Sequence, residues 1–287
     1  MWSSLEETVA EIPGTQSAIL QSLNSPQGVN TVWIVVESED DFNTYKKFMH
    51  PESTQVKSSE DNEGRKGYDN VVKIVTEIKR IVPGAHIMGI RDTDYTRYED
   101  GYEAPANIFM TDHRDLEMMM LKSDSVNQSL RAWAPAFNTA WDKCIPICRH
   151  FGYLRIFNSL KGFFVSFHDN LKTVKYWDDN IHDLKANWEQ ESTSKFVSLA
   201  EKDCSADSFV EFVTSLSLDK EDFLNICRGH DLIPVLSKAL IRNHIYSEAN
   251  IMNIMIEAYS MDDFRATQLY ASILAWQAEE GVIALAA

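Results

Sequence analysis

Two short apolar runs, Thr31-Val-Trp-Ile-Val-Val36 and His86 to Ile90, both finish in acid. The first is β-branched and aromatic, the composition of a buried strand. Glu37 follows it directly and Asp41 comes four residues later; Asp92 and Asp94 close the second run. Strands that bury such runs have no packing reason to end in carboxylates, which repel one another and resist desolvation unless something neutralises them. A divalent cation is the simplest neutraliser. Hard oxygen ligands at the carboxyl ends of neighbouring strands suit Mg²⁺ acting on phosphates.

The surrounding pattern predicts the architecture. Asp40 to His50 carries Phe42, Tyr45 and Phe48 at helical spacing, and Pro51 to Lys66 is polar, with Ser58 to Gly64 reading as a loop. Tyr68, Val71, Val72, Val75, Ile78 and Val82 trace one face of a helix that Pro83-Gly84 stops. A third strand is expected at Asn107 to Thr111, and a helix with an acid N-cap at Asp112 to Leu121. This alternation is that of an open α/β sheet of mostly parallel strands flanked by helices. Ligands collect at the carboxyl ends of such strands, where Glu37, Asp92, Asp94 and the Asp112 to Glu117 segment all fall.

Beyond Ser125 the spacing becomes helical, over Phe209 to Leu216, Leu224 to Ile241 and Ile251 to Trp276, with Phe163–Phe167 and Leu171–Trp177 as a small hairpin. The expected division is 1–125, an α/β domain holding the acids, and 126–287, a mainly helical domain for substrate, partner or dimer contacts. The length of 287 residues suits two domains. Neither a leader pattern nor an apolar run near the ~18 residues of a membrane helix is present. A cytoplasmic protein with no membrane partner is therefore expected.

Four cysteines are too few for a disulfide scaffold. Cys144, Cys148 and His150, or Cys227 and His230, lack the spacing of a zinc site, so buried free thiols are expected. The net charge of −16 opposes indiscriminate binding to polyanions. Between 143 and 175, however, six cations (Lys143, Arg149, Arg155, Lys161, Lys172, Lys175) face one acid, Asp169, with phenylalanines and Tyr176 interleaved. Such a stretch suits a nucleic-acid contact, with Lys143, Arg149, Arg155 and Lys161 as its candidates. A charge cluster alone is more often a solvated face around a hydrophobic core.

Taken in order, strand, Glu-x-x-x-Asp, strand, Asp-x-Asp resembles the Toprim domain of topoisomerases, primases and OLD-family nucleases. Val35-Val-Glu-Ser-Glu-Asp-Asp41, Gly67-Tyr-Asp-Asn-Val-Val72, Gly89-Ile-Arg-Asp-Thr-Asp-Tyr95 and Thr111-Asp-His-Arg-Asp-Leu-Glu117 are similar to the OLD-like Toprim proteins of bacterial defence islands. These include the nuclease subunit of the PARIS anti-phage system, which works beside a separate ABC-type ATPase. The resemblance covers residues 31–121 and, more loosely, Gly229 to Ile233.

The resemblance implies a metal-dependent nuclease acting on DNA or RNA, including tRNA, as a defence effector. Glu37, Asp92 and Asp94 would be the inner ligands of Mg²⁺ or Mn²⁺. Asp41, Asp115 and Glu117 would hold a second ion or orient the first. His230, where OLD-type relatives can place lysine, would stabilise transition-state charge. A homodimer and a partner ATPase are implied as well, since no Gly-x-x-x-x-Gly-Lys-Ser/Thr occurs in the chain. Ser38 departs from the glycine common in Toprim domains.

Three alternatives stand beside this reading. Glu37, Asp41, Asp112 and Asp115 are residue types that begin helices. Asp92-Thr-Asp-Tyr-Thr96 matches the nucleophile loop of haloacid-dehalogenase-like phosphatases, although that loop normally follows the first strand of its domain. A catalytically silent Toprim scaffold that binds a partner ATPase would carry the same acids.

Overall fold

A computed structural model describes residues 14–59, 68–200, 203–240 and 246–286. The opening residues of the chain, most of the Ser58 to Gly64 loop, Gly67 of the second Toprim-like segment and Ile241 lie outside the described residues. The chain groups into two compact units. One comprises Met1–Thr93, Tyr102–Asp112 and Ser260–Ala287, the other Asp94–Gly101 and His113–Tyr259. These bounds differ from a division at 125, because residues 260–287 fold with the sheet and residues 113–125 with the helices.

The first unit is α/β. Its sheet contains β1 (Val32–Val36), β2 (Thr54–Ser58), β3 (Ile87–Arg91) and β4 (Ile108–Met110), in the order β2-β1-β3-β4. All four strands are parallel. β1 and β3 are buried at every residue, as the central strands of a sheet covered on both faces must be. β2 was expected as loop. Thr-Gln-Val-Lys-Ser has too little apolar content to announce itself, and it forms a strand because β1 offers a full five-residue ladder at the sheet edge.

One sheet face packs Trp33, Val35, Ile87 and Ile108 against Ile19 and Leu23 of the N-terminal helical segment and Val71, Ile74, Val75 and Ile78 of the Tyr68–Ile81 helix. The helix lies so close that a Cβ at Gly89 would stand 2.6 Å from Val71 Cγ1 and 2.8 Å from Ile108 Cδ1. Residues 260–286 return to this unit. Phe264 stacks on Phe48 at 4.7 Å and meets Tyr45 edge-on at 6.0 Å. Trp276 Nε1 donates to Asn107 Oδ1, and Met49 bridges to Leu285.

The second unit is helical apart from the two-residue antiparallel ladder of β5 (Trp177–Asp178) and β6 (Asp183–Leu184). Its spine is the 25-residue Phe137–Lys161 helix. The Gly229–Leu240 helix lies along it, and Gly152 permits contact with the backbone of Ile226, whose oxygen would be 2.4 Å from an added Cβ. The expected hairpin at 163–177 is instead a short Phe167–Asn170 helix and a 3₁₀ turn. Its aromatic residues other than the exposed Phe164 turn inward, with Phe157 and Phe163 packed at 4.9 Å. The expected Leu224–Ile241 helix breaks between Ile226 and Gly229, and Ile251–Trp276 is three helices. Among the described residues no helix is long and apolar enough to cross a membrane.

Two stability predictions follow from this packing. Gly89→Ala overfills the contact between helix and sheet and should cost about 1–3 kcal/mol in urea unfolding. His150, buried in the spine helix, has its pKa pushed down from 6.5 to about 4 by desolvation. As pH falls through 6.5 the unfolded chain therefore takes up a proton that the folded chain refuses, and stability declines towards pH 4. Measured at pH 7 and pH 5, His150→Gln should lose about 1–2 kcal/mol less than the parent.

Candidate metal and phosphate site

The β1–β3 pairing sets Trp33 opposite Ile87 and Val35 opposite Gly89, so both strands end at the same edge. The chain runs from β1 outward to β2 and returns to β3 on β1's other side. The carboxyl ends of β1 and β3 are thus the topological switch point, where open α/β sheets leave a crevice. Glu37 and Asp92 are the acids there. They are brought together, with Glu37 Oε1 accepting from the Asp92 N–H at 2.9 Å. Both are half-buried. The neighbouring strand ends are tied in as well: Ser59 N–H donates to Val36 O, and Thr93 N–H donates to Thr111 Oγ1.

Asp41 has a different task in this unit. Its Oδ2 accepts from the Ser38 N–H at 2.8 Å and the Ser38 hydroxyl at 2.7 Å, while Asp41 N–H donates to Ser38 Oγ, a reciprocal capping box on the Glu39–Tyr45 helix. Ser38, the departure from the Toprim glycine, is the other half of that box. Asp112, expected to start the next helix, instead accepts from Gln268 N–H and Leu269 N–H at the start of the Gln268–Glu280 helix. The helix expected from Asp112 begins only at Leu116, capped by Asp115.

In the helical unit, Asp94 takes a left-handed conformation, φ 47°, and its N–H donates to Arg114 O. Arg114 is fully buried. Its guanidinium lies 4.0 Å from the centre of the Tyr95 ring and donates through Nη1 to Ile226 O. Asp115 is buried beside it. Its Oδ1 accepts from Met118 N–H at 2.9 Å and its Oδ2 from Gly229 N–H at 2.8 Å. Burial pushes the Asp115 carboxyl up from its ordinary value, opposed by these two N–H groups and by Arg114 and Arg228. Burial acts to lower the pKa of both arginines, and Tyr95, Asp94 and Asp115 more than offset it, so both stay charged. Asp94 and Asp115 thus already have cationic neighbours.

Glu117 is buried against Gly229, where an added Cβ would lie 2.4–2.6 Å from the Glu117 side-chain carbons. Its Oε1 is 3.6 Å from His230 Nδ1, and the imidazole is largely exposed. Arg114, Arg228, Tyr95 and the double role of Gly229 were not anticipated from sequence. The one signal was adjacency, Arg114 before Asp115 and Arg228 before Gly229; the bonds from Arg114 to Ile226 and from Gly229 to Asp115 span more than 100 residues.

The donor set decides which residues suit a metal ion. Among the described residues no group of three or more His, Cys, Asp or Glu is placed to hold one. Mg²⁺ does not require such a group, since it keeps several waters and is commonly held by one or two carboxylates and the substrate phosphate. Glu37 and Asp92 fit that requirement. Asp115, with both oxygens on backbone N–H groups and guanidinium charge beside it, does not. Asp41 is committed to its cap. The four cysteines are free thiols, as expected.

The cationic stretch has partners of its own. Lys143 pairs with Asp183 at 2.8 Å, and Arg149 donates to the carbonyls of Asp219 and Glu221. Arg155 grips buried Asp231 through two hydrogen bonds of 2.5 and 2.7 Å and lies over Phe167. Lys161 reaches over Phe212 at 5.8 Å. No family model matches the chain, and no curated protein matches it.

Gly229 meets both Asp115 and Glu117, which a double-mutant cycle can measure. Gly229→Ala should cost about 1–3 kcal/mol by overpacking. Combined with Asp115→Ala it should cost clearly less than the sum of the two, because the shift that relieves an added Cβ against Glu117 also displaces the residue-229 N–H from Asp115; additive urea-unfolding values would refute the shared role.

Proposed function

We propose that this chain is a Toprim-like, Mg²⁺- or Mn²⁺-dependent nuclease that hydrolyses phosphodiester bonds of DNA or RNA. The observation that carries the reading is the meeting of Glu37 and Asp92 at the switch point of an all-parallel sheet. Glu37 and Asp92 would hold the ion, and Asp94 is the further ligand that the Toprim resemblance implies. When bound, the ion supplies a lowered water pKa and charge neutralisation at the phosphate.

The chain's own residues prepare the site. The Asp92 N–H fixes one Glu37 oxygen, which aims the carboxylate across the strand ends before any ligand arrives. The Ser38–Asp41 box fixes the turn that follows Glu37. Asp41 and Asp115 serve as positioning residues, which is the orienting role among those foreseen for them. Glu117 lies next to His230, which would stabilise charge on a transferring phosphoryl group. Lys143, Arg149, Arg155 and Lys161 remain the proposed nucleic-acid contacts, with Arg149 and Arg155 held by internal partners as well. A homodimer in the cytoplasm, acting in anti-phage defence beside an ABC-type ATPase, completes the proposal.

A second reading is favoured by one observation, the lack of a three-member metal cluster among the described residues. In it the chain is a silent Toprim scaffold for the partner ATPase. Cleavage of single- and double-stranded DNA and of tRNA by the purified protein, alone and with its ATPase, separates the two. The nuclease reading expects EDTA-sensitive cleavage that falls at least about 100-fold in Glu37→Ala and Asp92→Ala. It also expects Mg²⁺ or Mn²⁺ to raise the melting temperature of the parent and not of Glu37→Ala. Metal-independent melting together with no cleavage in either setting would leave the scaffold.

A further inference from the structure

The helical unit contains a cavity of about 520 Å³ between the Phe137–Lys161, Trp188–Leu199 and Ala206–Ser215 helices. It shares His150, Trp188, Glu189, Phe209 and Val210 with a second recess of about 360 Å³. These are volumes of small-molecule sites.

The walls are aromatic. The His150 ring meets Trp188 edge-on at 5.4 Å and Phe209 at 5.6 Å, an arrangement that offers flat apolar surface to a flat ligand. Polar side chains make up much of the rest of the lining. His150 Nε2 is 3.2 Å from Thr193 Oγ1, and Glu189 Oε1 is 3.9 Å from His150 Nδ1. Asn187 and Gln190 add amides.

This set rejects anions. The His150 imidazole is neutral at pH 7, since burial brings its pKa down to about 4. Arg149, the cation lining the second recess, spends its guanidinium on the Asp219 and Glu221 carbonyls. Glu189, largely exposed at the rim, is an acceptor-only carboxylate that repels phosphate and selects hydrogen-bond donors. Among planar uncharged rings, guanine alone of the common bases presents two adjacent donors, N1–H and N2–H₂, to match a carboxylate's two oxygens, with O6 beside them for an amide donor. Adenine and cytosine set an acceptor next to their amino group, which would face the carboxylate unfavourably.

We infer that this cavity is a guanine-binding pocket, with the base lying against Trp188 and Phe209 and its donor edge on Glu189. The inference is independent of the metal site, and the base can come from a free nucleoside or from a single strand.

Titration of the full chain with guanosine, adenosine, cytidine, uridine and the single-stranded tetranucleotide GUUU, followed by ligand-observed NMR, tests it. Saturable binding is expected for guanosine, about tenfold tighter than for the other nucleosides. Binding of GUUU without guanosine would assign the pocket to a strand-borne base. Trp188→Ala should weaken binding about tenfold. Glu189→Gln, at an exposed position that leaves the fold intact, should abolish the preference for guanine. The inference is overturned if neither guanosine nor GUUU binds, if all four nucleosides bind alike, or if Glu189→Gln leaves the preference unchanged.

Discussion

The parallel ladder between β1 and β3 is the constraint on which the sheet unit depends. Every residue of both strands is buried, and all but Arg91, the last residue of β3, are uncharged. Where they leave, at adjacent ends, Glu37 and Asp92 are the first acids the chain can offer. Their proximity is a consequence of register, and a slip of one residue would send the ladder's side chains to opposite faces and part the two.

Around that pair the other acids are satisfied in two ways. Asp41, Asp112 and Asp115 accept backbone N–H groups at helix starts, which satisfies donors that would otherwise be left unpaired. Asp94 and Asp115 have the charges of Arg114 and Arg228 beside them. Removing either arginine would leave a carboxylate with much of its compensation gone, so these buried charges depend on one another. Glu37 meets the backbone of Asp92 at the strand ends, which is why the metal reading concentrates on these two residues.

Much of this was legible in the chain. β1, β3, β4 and the helix at 68–81 declare themselves by β-branched runs and by helical spacing, and the parallel arrangement follows from their alternation. The junction of Glu37 with Asp92 was visible as acid after each of two buried runs. β2 was hidden because an edge strand needs few apolar residues. The capping role of Asp41 and Asp115 was foreseeable as an alternative, and only the bonds to Ser38, Met118 and Gly229 distinguish it from ligation. Arg114 and Arg228 were missed because charge pairing between residues so distant in sequence leaves no local pattern. The cationic stretch at 143–175 suited either a nucleic-acid contact or a solvated face around a core; most of its rings are buried in the helical unit, and Arg149 and Arg155 have partners within that unit.

The sheet unit is assembled from segments that the helical unit interrupts. Phe264, Trp276 and Leu285 contact Phe48, Asn107 and Met49 from well over 150 positions away in the chain. A chain synthesised as far as residue 112 has all four strands but lacks the segment that covers Tyr45 and Phe48. Closing that gap means bringing distant segments together, a slow step because entropy is lost before contacts form. The helical unit, formed largely from residues 113–259, has no such wait, so during synthesis it is in a position to fold while the sheet unit still lacks its last segment.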